Sequence, residues 1–148
     1  MHIVLYEPEI PPNTGNIIRL CVNLGARLHL IHPLGFDLND KQLRRAGLDY
    51  REQAVIEQWP NFAEWRAQFS STRLLACSTR GTLRYDQIQY SDNDALLFGP
   101  ETRGLPQDLL DNANYGLRIP MRPGNRSLNL SNAVAVIAFE AWRQMDFS

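Results

Sequence analysis

The sequence predicts an α/β domain with a mainly parallel sheet and helices on both of its faces. Short apolar runs rich in β-branched residues alternate along the chain with segments of helical periodicity. Strands that alternate with helices in this way form parallel sheets covered by those helices. The 148 residues contain no internal repeat, low-complexity tract or linker, so residues 1–148 are predicted to form a single domain.

The pattern predicts five strands and five helices in alternation. The predicted strands are His2–Tyr6, Arg27–Ile31, Leu74–Cys77, Ala95–Phe98 and Leu117–Ile119. The predicted helices lie near Thr14–Leu24, Asn39–Ala46, Asn61–Gln68, Pro106–Asp111 and Leu130–Met145. Prolines before the first helix and Gly25 after it are the residues that usually flank a helix.

Ligands of parallel sheets bind beyond the carboxyl ends of the strands. The candidate binding segments are therefore those that follow strands: Glu7–Gly15, Ser78–Leu83, Gly99–Leu105 and Pro120–Asn129. The third of them combines two glycines, which allow close backbone approach to a ligand, with the carboxylate of Glu101. It matches neither a P-loop nor a dinucleotide-binding fingerprint.

The charge of the chain is balanced overall but not locally. With 15 basic and 16 acidic residues, the protein is not expected to coat nucleic acid through bulk charge. From Asn112 to Phe139, however, there is no acidic residue, while Arg118, Arg122 and Arg126 lie in that stretch. Of the basic residues, 14 are arginine, a bias that suits phosphate recognition and that genomic composition explains equally well.

Several other chemistries are disfavoured. His29 and His32 fall on opposite faces of a strand with no third ligand nearby, so a metal site is not expected. The chain has no nucleophile elbow of a serine hydrolase. Cys21 and Cys77 belong to no metal or redox motif, which predicts reduced thiols in a cytoplasmic protein. Neither a signal peptide nor a membrane-spanning run is expected.

The first predicted helix carries an unusual polar stripe. Asn16, Arg19 and Asn23 share one face of this helix. Lysine and glutamate are more typical of a solvated face, so the stripe is either part of a site or interface, or a solvent face of odd composition.

The last predicted helix is apolar on every side over Leu130–Phe139. A terminal helix covers the sheet with one side only, so its other side needs a second apolar surface. We therefore expect a homodimer in which Phe139 and Trp142 anchor the interface. Burial between the sheet and another helix is the alternative.

Three segments together resemble the motifs of the SpoU branch of the SPOUT RNA methyltransferases. They are Asn13–Arg19, then Leu97–Gly104, then Arg118–Met121 continuing through Arg126–Ala133. The motifs occur in the family's order over essentially the whole chain. The opening Ile3–Pro11 and the segment Lys41–Tyr50 are most similar to the members that methylate the wobble nucleotide of tRNA.

The resemblance implies a C-terminal deep trefoil knot and S-adenosylmethionine as the cofactor. It also implies a homodimer that binds the tRNA anticodon stem-loop and methylates the ribose 2′-OH of C or modified U at position 34 in leucine tRNAs. Carried over position by position, the cofactor-binding residues are Cys77, Ser78, Thr79, Gly99, Glu101, Ile119, Met121, Ser127 and Leu128.

The resemblance also assigns the catalytic and RNA-binding residues. Arg19 is expected to bind the phosphate and lower the pKa of the 2′-OH, because a guanidinium remains protonated and is a poor base. The residues expected to orient Arg19 and the ribose are Asn13, Glu101, Ser127 and Asn129. Those expected to hold RNA are Lys41, Arg44, Arg45 and Arg126. Two alternatives remain: methylation at another tRNA or rRNA position, and an inactive RNA-binding dimer.

Overall fold

The computed structural model describes residues 1–148, apart from the side chains of residues 48 and 49. The chain forms seven strands and five α-helices, with a 3-10 helix at Leu48–Glu52. The strands are β1 (His2–Tyr6), β2 (Arg27–Ile31), β3 (Val55–Trp59), β4 (Leu74–Cys77), β5 (Leu83–Arg84), β6 (Ala95–Phe98) and β7 (Tyr115–Arg118). The helices are α1 (Pro11–Leu24), α2 (Lys41–Gly47), α3 (Phe62–Gln68), α4 (Gln107–Asp111) and α5 (Leu130–Gln144).

All strands pair in parallel in one sheet of order β3-β2-β1-β6-β4-β7-β5. The α/β class with a parallel sheet is thereby confirmed, as are the bounds of β1, β2, β4 and β6. The prediction of five strands is wrong by two, because β3 and β5 were missed. The strand predicted at Leu117–Ile119 begins earlier, since Tyr115 and Gly116 already pair with β4.

Helices cover both faces of the sheet. Side chains along each buried strand therefore alternate between two cores, one on each face. In β1, Ile3 and Leu5 pack against the core that contains α1 and α5. Val4 points to the opposite core, which contains Trp65 of α3 and Leu110 of α4. The carboxyl ends of the strands therefore open between two helical layers.

The first helix begins at Pro11, three residues before the predicted start at Thr14. Two prolines occupy its first positions, where the missing N–H groups have no helical partner in any case. Gly25 ends the helix in the left-handed conformation, as its position in the sequence predicts.

Helix α5 is buried on one side only. Leu130, Val134 and Ile137 are at most 9% exposed, whereas Val136 and Phe139 are 36% and 42% exposed. Burial between the sheet and α1 therefore accounts for one apolar face and leaves the other uncovered in a single chain. The homodimer stays a prediction that this exposed face supports.

The two histidines of the β2 region are separated, as predicted. His29 is buried and bonds to His2 and Trp59, while the side chain of His32 bonds to Gln58. Among the described side chains, no group of three metal-binding residues comes together. No helix in the described structure is long and apolar enough to span a membrane.

Candidate active site

A cavity of about 290 Å³ lies at the carboxyl ends of β4, β6 and β7. Its floor is apolar, formed by Phe98, Leu117 and Ile137, and its rim carries hydroxyl, backbone and charged groups. This size is near the lower end of ordinary small-molecule sites. The arrangement suits a ligand with a flat apolar part and a polar, charged part.

Two glycines allow the loops around the cavity to approach closely. A Cβ at Gly99 would lie 2.4 Å from the Leu105 nitrogen, and one at Gly81 would lie 2.4 Å from the Leu117 carbonyl carbon. Side chains at these positions would push the loops apart and alter the cavity. The sequence predicted such a role for the glycines of the Gly99–Leu105 loop.

All nine predicted cofactor-binding residues line this one cavity. They come from the loops after β4, β6 and β7, and they are Cys77, Ser78, Thr79, Gly99, Glu101, Ile119, Met121, Ser127 and Leu128. The sequence reasoning missed other lining residues in the same loops, namely Arg80, Pro100, Thr102, Arg103 and Gly104. These residues follow strands, which made their loops candidate binding segments. The family resemblance, however, implied only single positions within each loop.

Arg80 fastens two of these loops together. Its guanidinium donates to the Leu105 carbonyl and the Gln107 side chain. The loop after β4 is thereby tied to the start of α4, across the mouth of the cavity.

Three of the predicted catalytic residues form one hydrogen-bonded chain. Asn129 Nδ2 donates to Asn13 Oδ1 over 3.0 Å, and Asn13 Nδ2 donates to Glu101 Oε2 over 3.3 Å. Asn129 also caps α5, accepting from the Ser131 and Asn132 N–H groups. The amino ends of α1 and α5 therefore meet beside the cavity.

Glu101 is already bonded through both oxygens. Its Oε1 accepts from the Glu9 N–H at 2.9 Å, and its Oε2 accepts from the Ile10 N–H at 2.6 Å as well as from Asn13. A carboxylate with these donors stabilises the amino end of α1. Both carboxylate oxygens are thereby occupied by hydrogen bonds from the start of α1.

Ser127 and Arg19 are placed differently. Ser127 lines the cavity from the exposed loop that precedes α5. Arg19 is exposed on α1, where its guanidinium carbon lies 5.3 Å from the centre of the Tyr50 ring. It does not line the cavity, and no ion pair joins it to an acidic side chain within the described part of the chain.

Comparison with known proteins decides the family. The model of the SpoU rRNA Methylase family matches residues 1–139. The chain belongs to this family. It is 54% identical over 150 residues to a tRNA (cytidine(34)-2'-O)-methyltransferase of Aeromonas hydrophila, covering 100% of this chain and 96% of that protein.

Solved structures agree with this membership. A structure described as giving insights into the 2-OH methylation of C/U34 on tRNA superposes with a TM-score of 0.95 at 44% identity, over 99% of this chain and 97% of that one. The SpoU methyltransferase AviRb from Streptomyces viridochromogenes, in complex with AdoMet, has a TM-score of 0.89 at 27% identity, over 99% of this chain and 58% of its own.

In this SpoU family member the predicted RNA-binding residues lie in two exposed places. Lys41, Arg44 and Arg45 are on α2, and Arg126 is in the loop before α5. Helix α2 packs closely on α1, because a Cβ at Gly15 would lie 2.4 Å from the Leu43 carbonyl oxygen. The basic side chains of α2 therefore belong to the helix that packs against α1, the helix of Arg19.

Cys77 contributes no reactive thiolate to this SpoU site. Burial raises the pKa of the Cys77 thiol, and the thiol donates to the Leu75 carbonyl at 3.6 Å. Cys21 is also buried, and burial raises its pKa to about 12. Both cysteines are free thiols.

Proposed function

We propose that this protein transfers the methyl group of S-adenosylmethionine to the ribose 2′-OH of nucleotide 34 in tRNA. Its family membership and its full-length likeness to tRNA (cytidine(34)-2'-O)-methyltransferases make it a tRNA ribose 2′-O-methyltransferase. The finer proposal is a C or modified U at position 34 of leucine tRNAs, bound through the anticodon stem-loop. The reaction belongs in the cytoplasm, where tRNA is processed and thiols stay reduced.

One observation carries the proposal: the nine expected cofactor positions share one cavity beside the Asn129–Asn13–Glu101 chain of hydrogen bonds. The cavity fits S-adenosylmethionine, because its floor is apolar and the glycines keep its loops close. When bound there, S-adenosylmethionine supplies an electrophilic methyl group. The AdoMet complex of AviRb supports the same cofactor here.

The residues of the chain have the remaining tasks of placing the ribose and stabilising its oxyanion. Asn13 and Asn129 are fixed by their mutual hydrogen bond and by the bond of Asn13 to Glu101. Neither asparagine lines the cavity itself, but both are joined to Glu101, which does. Positioning of two reactants contributes several kcal/mol, up to about 7–11 kcal/mol in ideal cases.

In the transfer the ribose oxygen would take the methyl group, S-adenosylhomocysteine would leave, and the hydroxyl proton would pass to solvent water. Arg19 favours this ionisation of the 2′-OH without accepting the proton. A guanidinium stays protonated near neutral pH and stabilises a nearby oxyanion or phosphate. Its exposure on α1, outside the cavity wall, suits contact with RNA that enters from solvent. Ser127, which lines the cavity from the loop before α5, orients the ribose.

We also propose that the C-terminal part of the chain forms the family's deep trefoil knot. Strand β7 lies between β4 and β5, which are consecutive in sequence, so residues 78–82 bridge across its end. Gly81 lies against the Leu117 and Arg118 backbone at that crossing. A crystal structure traced from β4 to α5 tests this: the chain after Arg118 should pass beneath the bridge, and a path outside it would contradict the knot.

A homodimer through α5 completes the proposal. Val136 and Phe139 present an uncovered apolar face, and Phe139 packs against Trp142 with 5.7 Å between ring centres. Aromatic side chains of this kind are typical interface anchors. The second subunit would place another set of α2 cations near the RNA.

Methyl transfer from tritiated S-adenosylmethionine to a leucine tRNA transcript tests the function. The matched control is the same tRNA with 2′-deoxycytidine at position 34, which lacks only the reacting hydroxyl. We expect incorporation into the first and none into the second. Equal labelling of both would favour methylation at another tRNA position, and labelling of neither would favour an rRNA substrate or an inactive RNA-binding dimer.

A further inference from the structure

The loops that follow the neighbouring strands β1 and β6 are joined by two carboxylates, each of which accepts hydrogen bonds from the other loop. The loop after β6 contributes Glu101, which accepts from the N–H groups of Glu9 and Ile10. The loop after β1 contributes Glu9. Its Oε1 accepts from the Thr102 N–H at 2.9 Å and from the Thr102 hydroxyl at 2.8 Å.

The Glu9 carboxylate is held in its charged form. Its hydrogen bonds from the Thr102 backbone and hydroxyl lower its pKa, and Arg103 Nε lies 3.8 Å from Oε2. The side chain is only 28% exposed. Hydrogen bonds to a charged acceptor are roughly twice as strong as neutral ones.

The loop that carries Glu9 has little room to move. A Cβ at Gly35 would lie 2.9 Å from the Glu9 Cα, and the Gly35 N–H donates to the Pro8 carbonyl at 2.9 Å. Behind Glu9, therefore, the backbone is packed. In front of it are Thr102 and Arg103, which line the cavity.

The second carboxylate, that of Glu101, binds at the start of α1. Pro11 and Pro12 have no N–H, so the Ile10 and Glu9 N–H groups are the donors that point out of this end of the helix. Glu101 accepts both, and it also holds the amide of Asn13. A displacement of the 99–104 loop is thus transmitted to α1 through two carboxylates.

We propose that Glu9 is a positioning residue for methyl transfer, which fixes the cavity wall at Thr102 against the helix that carries Asn13 and Arg19. This inference rests on the proposed function. Binding of S-adenosylmethionine against the 99–104 loop then sets the orientation of the groups that receive the ribose. Cofactor binding and ribose placement are coupled through Glu9.

Glu9→Ala and Glu9→Gln test the role, with Glu64→Gln as the control because Glu64 is an exposed glutamate on α3. We measure kcat and the KM for tRNA, divide kcat by the number of S-adenosylhomocysteine sites from titration calorimetry, and record Tm. Glu9→Ala should lower kcat per site roughly ten- to a hundredfold, the loss of a hydrogen bond to a charged group. Its KM for tRNA should change little.

The conservative variant separates positioning from folding. The Gln side-chain oxygen still accepts from the Thr102 N–H, so Glu9→Gln should retain kcat per site within about threefold. Glu64→Gln should match the native protein. A native kcat per site in Glu9→Ala, or a Glu9→Gln loss as large as that of Glu9→Ala, would overturn the proposal.

NMR of the protein with bound S-adenosylhomocysteine tests the role of Glu9 without relying on methyl-transfer activity. In the native protein, saturating S-adenosylhomocysteine should shift the NMR signals of the Ile10 amide and the Asn13 side-chain amide. In Glu9→Ala at saturation these shifts should become smaller, because Glu101 alone then joins the 99–104 loop to α1. If the native protein methylates no tRNA, the proposed function fails, and this experiment still decides the role of Glu9, because shifts unchanged by the substitution would overturn it.

Discussion

Arg19 is the residue on which the proposed chemistry depends most. It is exposed, lies outside the cofactor cavity and touches Tyr50, so its removal should leave the cavity intact. In the proposed mechanism its charge favours an oxyanion and takes no part in cofactor binding. The two roles can be separated experimentally.

Arg19→Ala should keep the affinity for S-adenosylmethionine and lose about 10²–10³ in kcat, the usual effect of removing one oxyanion-stabilising donor. Titration calorimetry and tritium transfer measure the two quantities. Arg27→Ala is the control, because Arg27 lies at the amino end of β2, away from the cavity, and pairs with Glu57. A fully active Arg19→Ala protein would refute the role.

His29 forms a buried hydrogen-bonded relay that fixes its protonation. The Trp59 indole only donates, so His29 Nδ1 accepts from it at 3.1 Å. His29 Nε2–H then donates to His2 Nδ1 at 2.9 Å, and His2 Nε2–H donates to Asn93 at 3.2 Å. Both rings are therefore neutral, and burial lowers the pKa of His29 to about 4.

This relay predicts a loss of stability in mild acid. Between about pH 6.5 and pH 4 the unfolded chain binds a proton at His29 that the folded chain does not, so the free energy of unfolding should fall as the pH falls through this range. Between pH 7 and pH 5 the change due to His29 is about 2 kcal/mol. Urea unfolding at pH 7, 6 and 5 measures it.

His29→Gln provides the comparison, since its amide still accepts from Trp59 and donates to His2 but does not titrate. Its unfolding free energy should depend less on pH over this range. His32→Gln, which alters a histidine bonded to Gln58 at the surface, should behave as the native protein does. An unchanged pH dependence in His29→Gln would show that the relay is not the source.

At the scale of elements, α5 tests the proposed assembly. Phe139→Glu places a charge on the uncovered apolar face, and glutamate keeps good helix propensity. We expect the native protein to sediment as a dimer and the variant as a folded monomer at micromolar concentration. Val55→Glu, at a 52% exposed residue of the edge strand β3, should stay dimeric. A monomeric native protein would end the dimer proposal.

The elements also show what the sequence predicts well. Strongly apolar strands such as Ala95–Phe98 are buried on both faces, so their composition alone identifies them. Strand β3 was missed because its edge position admits Glu57 and Gln58, and β5 is only two residues long. The carboxyl-end loops were identified correctly, because in a parallel sheet their location follows from the strands.

Tertiary partners within the site were less predictable. The contact of Glu9 with Thr102 joins residues 93 positions apart, and no periodicity encodes it. Likewise, the saturation of Glu101 by backbone donors depends on two prolines that leave the Ile10 N–H free of competition. Motif matching selected Glu101 and Asn13 as candidates, and the fold was needed to show that their side chains are hydrogen-bonded to each other.

For the whole molecule, the basic residues that are predicted to bind RNA should make the affinity for tRNA depend on salt concentration. Lys41, Arg44, Arg45 and Arg126 are exposed, and none forms an ion pair with an acidic side chain in the part of the chain that the structure describes. Neutralising any one to Gln should reduce the slope of log affinity against log salt by about one if it contacts phosphate. The control is Arg143→Gln, whose native side chain pairs with Glu140. An unchanged slope would show that the residue is a solvated surface residue that contacts no phosphate.

The most direct test of the central claim is a map of 2′-O-methylation in tRNA from cells with and without this protein. We predict that loss of the protein removes methylation of the ribose at position 34 in leucine tRNAs, and that the native chain restores it while Arg19→Ala does not. Persistence of the mark at position 34, with loss of a mark elsewhere in tRNA or rRNA, would contradict the account.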